Sequence, residues 1–388
     1  MPPTCPPDVP WRSEPFRLFF PLAVLLAWLG IGHWVLYAVG VTATYSCLFH
    51  GLVQMQAFMM AFAVGFLLTA LPRRTQTAPV SRVEMAAMAV ALIATAGAAL
   101  LERWALVQAA YAALFALLLQ FAVRRFLGRE AGRRPPAAFV LIPLGVAHGL
   151  GGAALIAAST MHDVPAWTMG LGRLFVEQGV FLCFAMGVGS LVLPLMGGAP
   201  PPPDLDAAPG ERQKAFAYAA AGAAILASLV LEQLGWPRGG PLLRAAVVTL
   251  GLGIGAGAWR APAKPGVHRQ LVWLSVWLMP VGLTVSGLWP AYRVPALHIL
   301  FIGGFSLMGF GVATHVSLTH LDLETLALGR PPAVVVLGVT FVLALMARLA
   351  ADMSNTYFDH LGWAAAVWLV GSAAWLAFLG PKLLRRSR

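Results

Sequence analysis

The chain has 388 residues, of which 59% are hydrophobic and 11% charged, with a mean hydropathy of +0.78. Soluble domains carry about a quarter of charged residues, so this composition excludes an ordinary soluble globular protein. The formal net charge of +11 needs no nucleic acid to explain it: the short loops of a membrane protein collect most of it, and an acidic lipid surface complements it.

The chain opens on "MPPTCPPDVPWRSEPF", Pro-rich and polar, without the charged start, apolar run and small-residue cleavage site of a signal peptide. The first apolar run is therefore expected to be retained. A bilayer-spanning helix needs roughly 20 mainly apolar residues. Twelve runs approach that standard, in order 17–40, 45–71, 83–101, 104–123, 137–160, 171–196, 214–234, 241–259, 269–289, 296–319, 332–352 and 361–380. The expected fold class is an all-α polytopic membrane protein of about twelve transmembrane helices. Between the sixth and seventh runs, "GGAPPPPDLDAAPG" cannot be helical and reads as a solvated connector. The expected organisation is an N-terminal tail 1–16, helices one to six over 17–196, a Pro-rich linker 197–213, helices seven to twelve over 214–380 and a basic tail 381–388.

Short cytoplasmic loops collect Lys and Arg. Twenty of the 26 fall on the side that holds both termini, and six, Arg103, Arg173, Arg238, Arg244, Arg293 and Arg348, on the other. Both termini, the linker and the basic tail are therefore expected to be cytoplasmic. Cys5, Cys47 and Cys183 are too few and too scattered for a disulfide framework.

A longer period also runs through the chain. "AFAVGFLLTALP" (61–72), "CFAMGVGSLVLP" (183–194) and "FSLMGFGVATHV" (305–316) superpose with Gly65, Gly187 and Gly309 in register, 122 residues apart. They fall in the second, sixth and tenth runs, which makes three repeats of four helices a candidate architecture. Small-xxx-small spacing in membrane helices also arises from packing alone.

With these orientations His33, His50 and His298 share the outer third of the membrane, while His315 and His320 sit at the inner end of the tenth helix. His268 is expected in a cytoplasmic loop and His162 and His360 in outer loops, all solvated, and His148 near mid-membrane, bonded to a neighbouring helix. Ionisable groups in a spanning helix are costly and usually face a functional interior. His50, Gln54, Phe58, Phe62 and Gly65 follow helical steps down one face, as do His298, Ile302, Phe305 and Gly309. Each face is an imidazole above an apolar strip that ends in glycine, a shape that admits a flat macrocycle. His50 and His298 are accordingly candidate ligands of one haem iron. Arg173, Arg293 and Arg348 are candidates for its carboxylates, with interfacial anchoring as the plain alternative. Glu177, one turn after Arg173, either pairs with it or handles protons. Copper is a weaker inference, from Cys47 and His50 at i, i+3 with His33 approaching from the first helix.

At these residues a resemblance enters. "FRLFF", "HGLVQMQAFMMAFAVGFLLTALP", "RLFVEQGVFLCFAMGVGSLVLPLMGG" and "ALHILFIGGFSLMGFGVATHVSLTH" resemble the NnrS family of bacterial membrane proteins across most of the chain. The resemblance implies a twelve-helix inner-membrane protein that contains haem and copper and serves the response to nitric oxide. It places His50 on the family's histidine at the start of the second helix, His298 on that of the tenth and His320 on the terminal "L-x-H" histidine, a candidate for a separate inner metal site. Two departures matter: the family's His-x-His-Glu-Met cluster is "HGLVQ" here, and His315 stands where the family has Arg. The layout is also distantly like that of haem–copper oxidases, an analogy of arrangement alone.

The expected function is therefore haem-based binding or consumption of nitric oxide to relieve nitrosative stress, with an electron donor of unknown identity if there is turnover. The alternatives are a secondary transporter, disfavoured by a lack of buried acid–base pairs in most helices, and an assembly factor for another metalloenzyme.

Overall fold

The structure is a computed structural model that describes residues 10–129, 134–205 and 207–384. Cys5, Arg133, Arg385, Arg386 and Arg388, with the outer parts of both expected tails, lie outside the described residues.

Among the described residues, eleven helices are long and apolar enough to cross a membrane: α1 Phe16–Ala38, α2 Cys47–Thr75, α3 Arg82–Leu100, α4 Trp104–Leu127, α5 Ala137–Met161, α6 Trp167–Gly197, α7 Glu211–Gln233, α9 Val267–Leu288, α10 Pro290–His320, α11 Pro332–Ala351 and α12 Tyr357–Leu384. The twelfth, α8 at Gly239–Gly255, reaches only about 25 Å at 1.5 Å per residue, short of a full hydrocarbon core. The chain is thus an all-α polytopic membrane protein. Residues 199–205 of the Pro-rich connector carry no helix. α6 stops before it at Gly198, whose φ of +90° is a left-handed helix cap.

The twelve helices fall into three consecutive groups of four. In each group the first helix packs along the second and the third along the fourth. The fourth then packs on the first helix of the next group, α4 on α5, α8 on α9 and α12 on α1, which closes the groups into a ring. Trp28 Nε1 of α1 donates to Ser372 Oγ of α12 at 2.8 Å across the closing seam. The second helix of each group fills the middle: 83% of the apolar window of α2 is buried, 72% of α6 and 67% of α10, against at most 50% in any other span. Arg17 Nη1 donates to Leu383 O at 3.0 Å, so the start of α1 and the end of α12 share one end of the bundle.

The three central helices also share an irregularity. α2, α6 and α10 each switch to π-helical turns, at Val53–Met59, Phe175–Gly179 and Ile299–Ser306. The starts are 122 and then 124 residues apart, so the register of the third group is shifted by two. The glycines confirm the shift. A Cβ on Gly65 would come within 2.9 Å of Phe19 on α1, one on Gly187 within 2.9 Å of Ile142 on α5, and one on Gly311, not Gly309, within 2.4 Å of Val272 on α9. Gly311 is therefore the counterpart of Gly65 and Gly187, and Gly309 faces Phe62 of α2 instead.

Candidate functional site

Two helix starts define the site. Ser46 Oγ accepts from Phe49 N at 3.1 Å and caps α2, which puts His50 in its first turn. α10 opens at Pro290, and His298 ends its first regular stretch, just before the π-helical turns. The two ring centroids are 6.5 Å apart and the planes only 9° from parallel.

Each imidazole is held by its Nδ1–H. His50 donates to Gly30 O of α1 at 2.9 Å, and His298 to Val294 O of its own helix at 2.8 Å. A carbonyl can only accept, so the tautomer is fixed and the Nε2 lone pair of each ring is left for another group. This is how metal-binding histidines are commonly oriented. Gly30 permits the approach of α2, since a Cβ there would lie 2.4 Å from the Gln54 amide and 2.9 Å from Val53. Two imidazoles that ligate one metal atom from opposite sides, each with a bond of about 2 Å, have centroids about 6 Å apart. The centroid separation of the observed pair is of that size.

The rings border a cavity of about 220 Å³ between α1, α2, α6, α10, α11 and α12. Its body is apolar and aromatic, with Met55, Phe58, Leu297, Phe301, Ile302, Leu361 and Trp368 in the wall. The polar groups are Cys47, Gln54, Arg173, Glu177, Arg293, Ser306, Arg348 and Tyr357. An apolar slot with cationic groups matches a flat macrocycle that carries two carboxylates. The structure therefore brings together the five residues expected to hold haem: His50, His298, Arg173, Arg293 and Arg348.

Each arginine also has an acid partner. Arg173 Nε donates to Glu177 at 2.7 Å, Arg293 to Glu232 through Nε at 2.8 Å and Nη2 at 2.7 Å, and Arg348 Nη1 to Asp352. Glu232 of α7 also takes Nη2 of Arg244, a fully buried guanidinium of α8. Arg125 of α4 binds Glu84 of α3 twice, at 2.6 and 3.0 Å. Arg244–Glu232 is buried on both sides and the other pairs are partly exposed, so acid–base pairs do occur within the bundle, contrary to the sequence-based expectation, and their scarcity is no argument against a transporter. Glu232 and Asp352 went unnoticed in the sequence, although Asp352 stands at i+4 from Arg348.

The two glutamines of α2 serve packing. Gln54 Nε2 donates to Ala27 O at 3.0 Å, and Gln56 exchanges hydrogen bonds with Gln108 of α4 at 2.7 and 3.2 Å. The continuous strips from His50 to Gly65 and from His298 to Gly309 are not observed as walls of one slot. The π-helical turns add a residue per turn and rotate the remainder of each helix. Phe62, Phe305 and Gly309 therefore border a different cavity, and Gly65 packs on α1.

His33 does approach His50, with centroids 5.9 Å apart, and its Nδ1 donates to the same Gly30 carbonyl at 3.0 Å. Yet among the described residues no group of three or more His, Cys, Asp or Glu could hold a metal ion. The three-ligand copper arrangement around His33, Cys47 and His50 is not assembled. His320 lies at the other end of α10, 22 residues or about 33 Å from His298, where Arg73 Nη1 donates to its Nδ1 and Phe16 packs on its ring. His268, expected in a solvated loop, instead opens α9, is fully buried and bonds His315. His148 is buried against Phe175 with Cys183 Sγ 3.7 Å from its Nδ1, and His360 bonds Thr356 at the surface.

A family model described as NnrS protein matches residues 10–387, nearly the whole chain. No curated protein matches it.

Proposed function

Because the chain belongs to the NnrS family, which supports a role in the nitric oxide response, we propose that it is a multi-pass inner-membrane protein that holds a haem between His50 and His298 and binds nitric oxide there. The single observation that carries the reading is the His50–His298 pair, parallel and 6.5 Å apart with both Nδ1 atoms engaged elsewhere. A haem held there would supply the iron to which nitric oxide binds.

The chain's own part is orientation and exclusion. The carbonyls of Gly30 and Val294 hold the two rings by Nδ1 at the edge of the cavity, and Phe58, Phe301 and Trp368 keep water from its apolar body. Arg173, Arg293 and Arg348 serve the carboxylates. Each guanidinium has five N–H donors, of which the acid partner engages only one or two. His50 is tied to a different helix and His298 only to its own preceding turn, so His298 is the ring with more freedom to move. Copper is not carried into this reading.

The test is the absorbance spectrum of protein purified from haem-supplemented cells. A six-coordinate low-spin spectrum that nitric oxide shifts is expected. Protein that folds and carries no haem under those conditions overturns the reading.

A further inference from the structure

A second cavity, of about 100 Å³, lies farther along α2, α6 and α10, where the three central helices meet. Every side chain that borders it is hydrocarbon or thioether. Phe62 and Phe66 come from α2, Phe184 and Val188 from α6, and Met308 and Val312 from α10. Water needs two to four polar partners to settle in a cavity, and apolar cavities of this order stay dry while accepting apolar solutes such as xenon. The space is less than half that of the histidine cavity and suits a molecule of a few atoms.

Its position adds a second argument. Met59 stands in the wall of both this cavity and the histidine cavity. Phe58 borders the histidine cavity and Phe62 the axial one, with their rings 5.4 Å apart in edge contact. Only side chains of one helical turn therefore separate the two spaces, and the unbranched Met59 thioether is the most adaptable of them.

We propose that the axial cavity is a binding site for a small uncharged gas molecule, which it passes to the histidine cavity past Met59. The biological ligand, nitric oxide, rests on the haem reading above; the cavity's affinity for apolar gas does not. Xenon is the probe, located in xenon-pressurised crystals of the full-length protein. Xenon is expected among Phe62, Phe184 and Val312, and is expected to be lost in Ala185→Phe and in Val312→Phe, which fill the space from different helices. In both variants nitric oxide should reach the haem several-fold more slowly while the haem spectrum stays as in the parent. A milder Ala185→Leu should give an intermediate rate, and it serves if either bulky variant fails to fold. The proposal is overturned if xenon does not enter, if a lipid or detergent tail fills the cavity, or if filled variants bind nitric oxide at the parent rate. Protein without haem would end the haem reading while the xenon result still decides this one.

Discussion

Two pairs of histidines sit near opposite ends of α10 and are built on opposite principles. At one end His50 and His298 stand 6.5 Å apart, each bonded to backbone and neither to the other. At the other end His268 Nε2 and His315 Nδ1 are in direct contact at 3.2 Å, with the rings 5.4 Å apart. In the first pair only Nδ1 of each ring is engaged, and both rings border the larger cavity. The second spends one nitrogen of each ring on the partner and borders neither of the two cavities. On the haem reading, what separates the two pairs is a cavity beside the rings and a backbone carbonyl on each Nδ1.

The comparison breaks most visibly through Glu232, which orients Arg293 at the spaced pair and pairs with the buried Arg244. Removing one partner of a buried ion pair typically costs about 3–5 kcal/mol. Glu232→Ala is expected to lower the thermal stability of the detergent-solubilised protein by that order and to reduce its haem content. A variant as stable and as haem-rich as the parent would detach this network from the site.

The contacting pair gives the converse. His268→Ala or His315→Ala leaves a buried imidazole nitrogen without a partner, a cost of about 1–3 kcal/mol. Unfolding should shift accordingly while the haem spectrum stays unchanged. A lost or altered spectrum would make the contacting pair a ligand site and erase the distinction.

A smaller effect sharpens the account of the cations. Arg348→Lys keeps the charge but not the planar fork that suits a carboxylate. It is expected to weaken haem retention by about 1–2 kcal/mol, read as faster haem loss to an apo-globin acceptor. Equal retention would assign Arg348 to Asp352 alone.

The orientation of the comparison is testable without any energy. Reporter fusions at Arg129 and after the last residue should both signal cytoplasm, which puts the spaced pair on the outer side. A periplasmic signal from either would invert that assignment.

The spans were legible because apolar length is a local property. The fourth run, expected at 104–123, is Trp104–Leu127, and the ninth, expected at 269–289, is Val267–Leu288. The threefold repeat was legible from glycine spacing, but not the two-residue shift that makes Gly311 the third member. The two rings and three arginines that border the larger cavity were legible as candidates because charge inside an apolar run is conspicuous. What the sequence hid was phase and partnership. π-helical turns after His50 and His298 carry Phe62 and Phe305 away from the faces that a regular helix would give them. Glu232 meets Arg293 across 61 residues, a pairing no local pattern announces. His268 comes two residues after "PAKPG", which reads as loop, yet α9 starts at Val267 and buries the ring against α10.

The central claim is that one iron lies between His50 and His298, and low-temperature electron paramagnetic resonance of the ferric protein tests it most directly. The parent should give a low-spin signal of two axial imidazoles with nearly parallel planes. His50→Ala and His298→Ala should each abolish it, by leaving high-spin iron or no haem at all. If both variants keep the parent's signal and haem content, the pair does not hold the haem and the assignment is wrong.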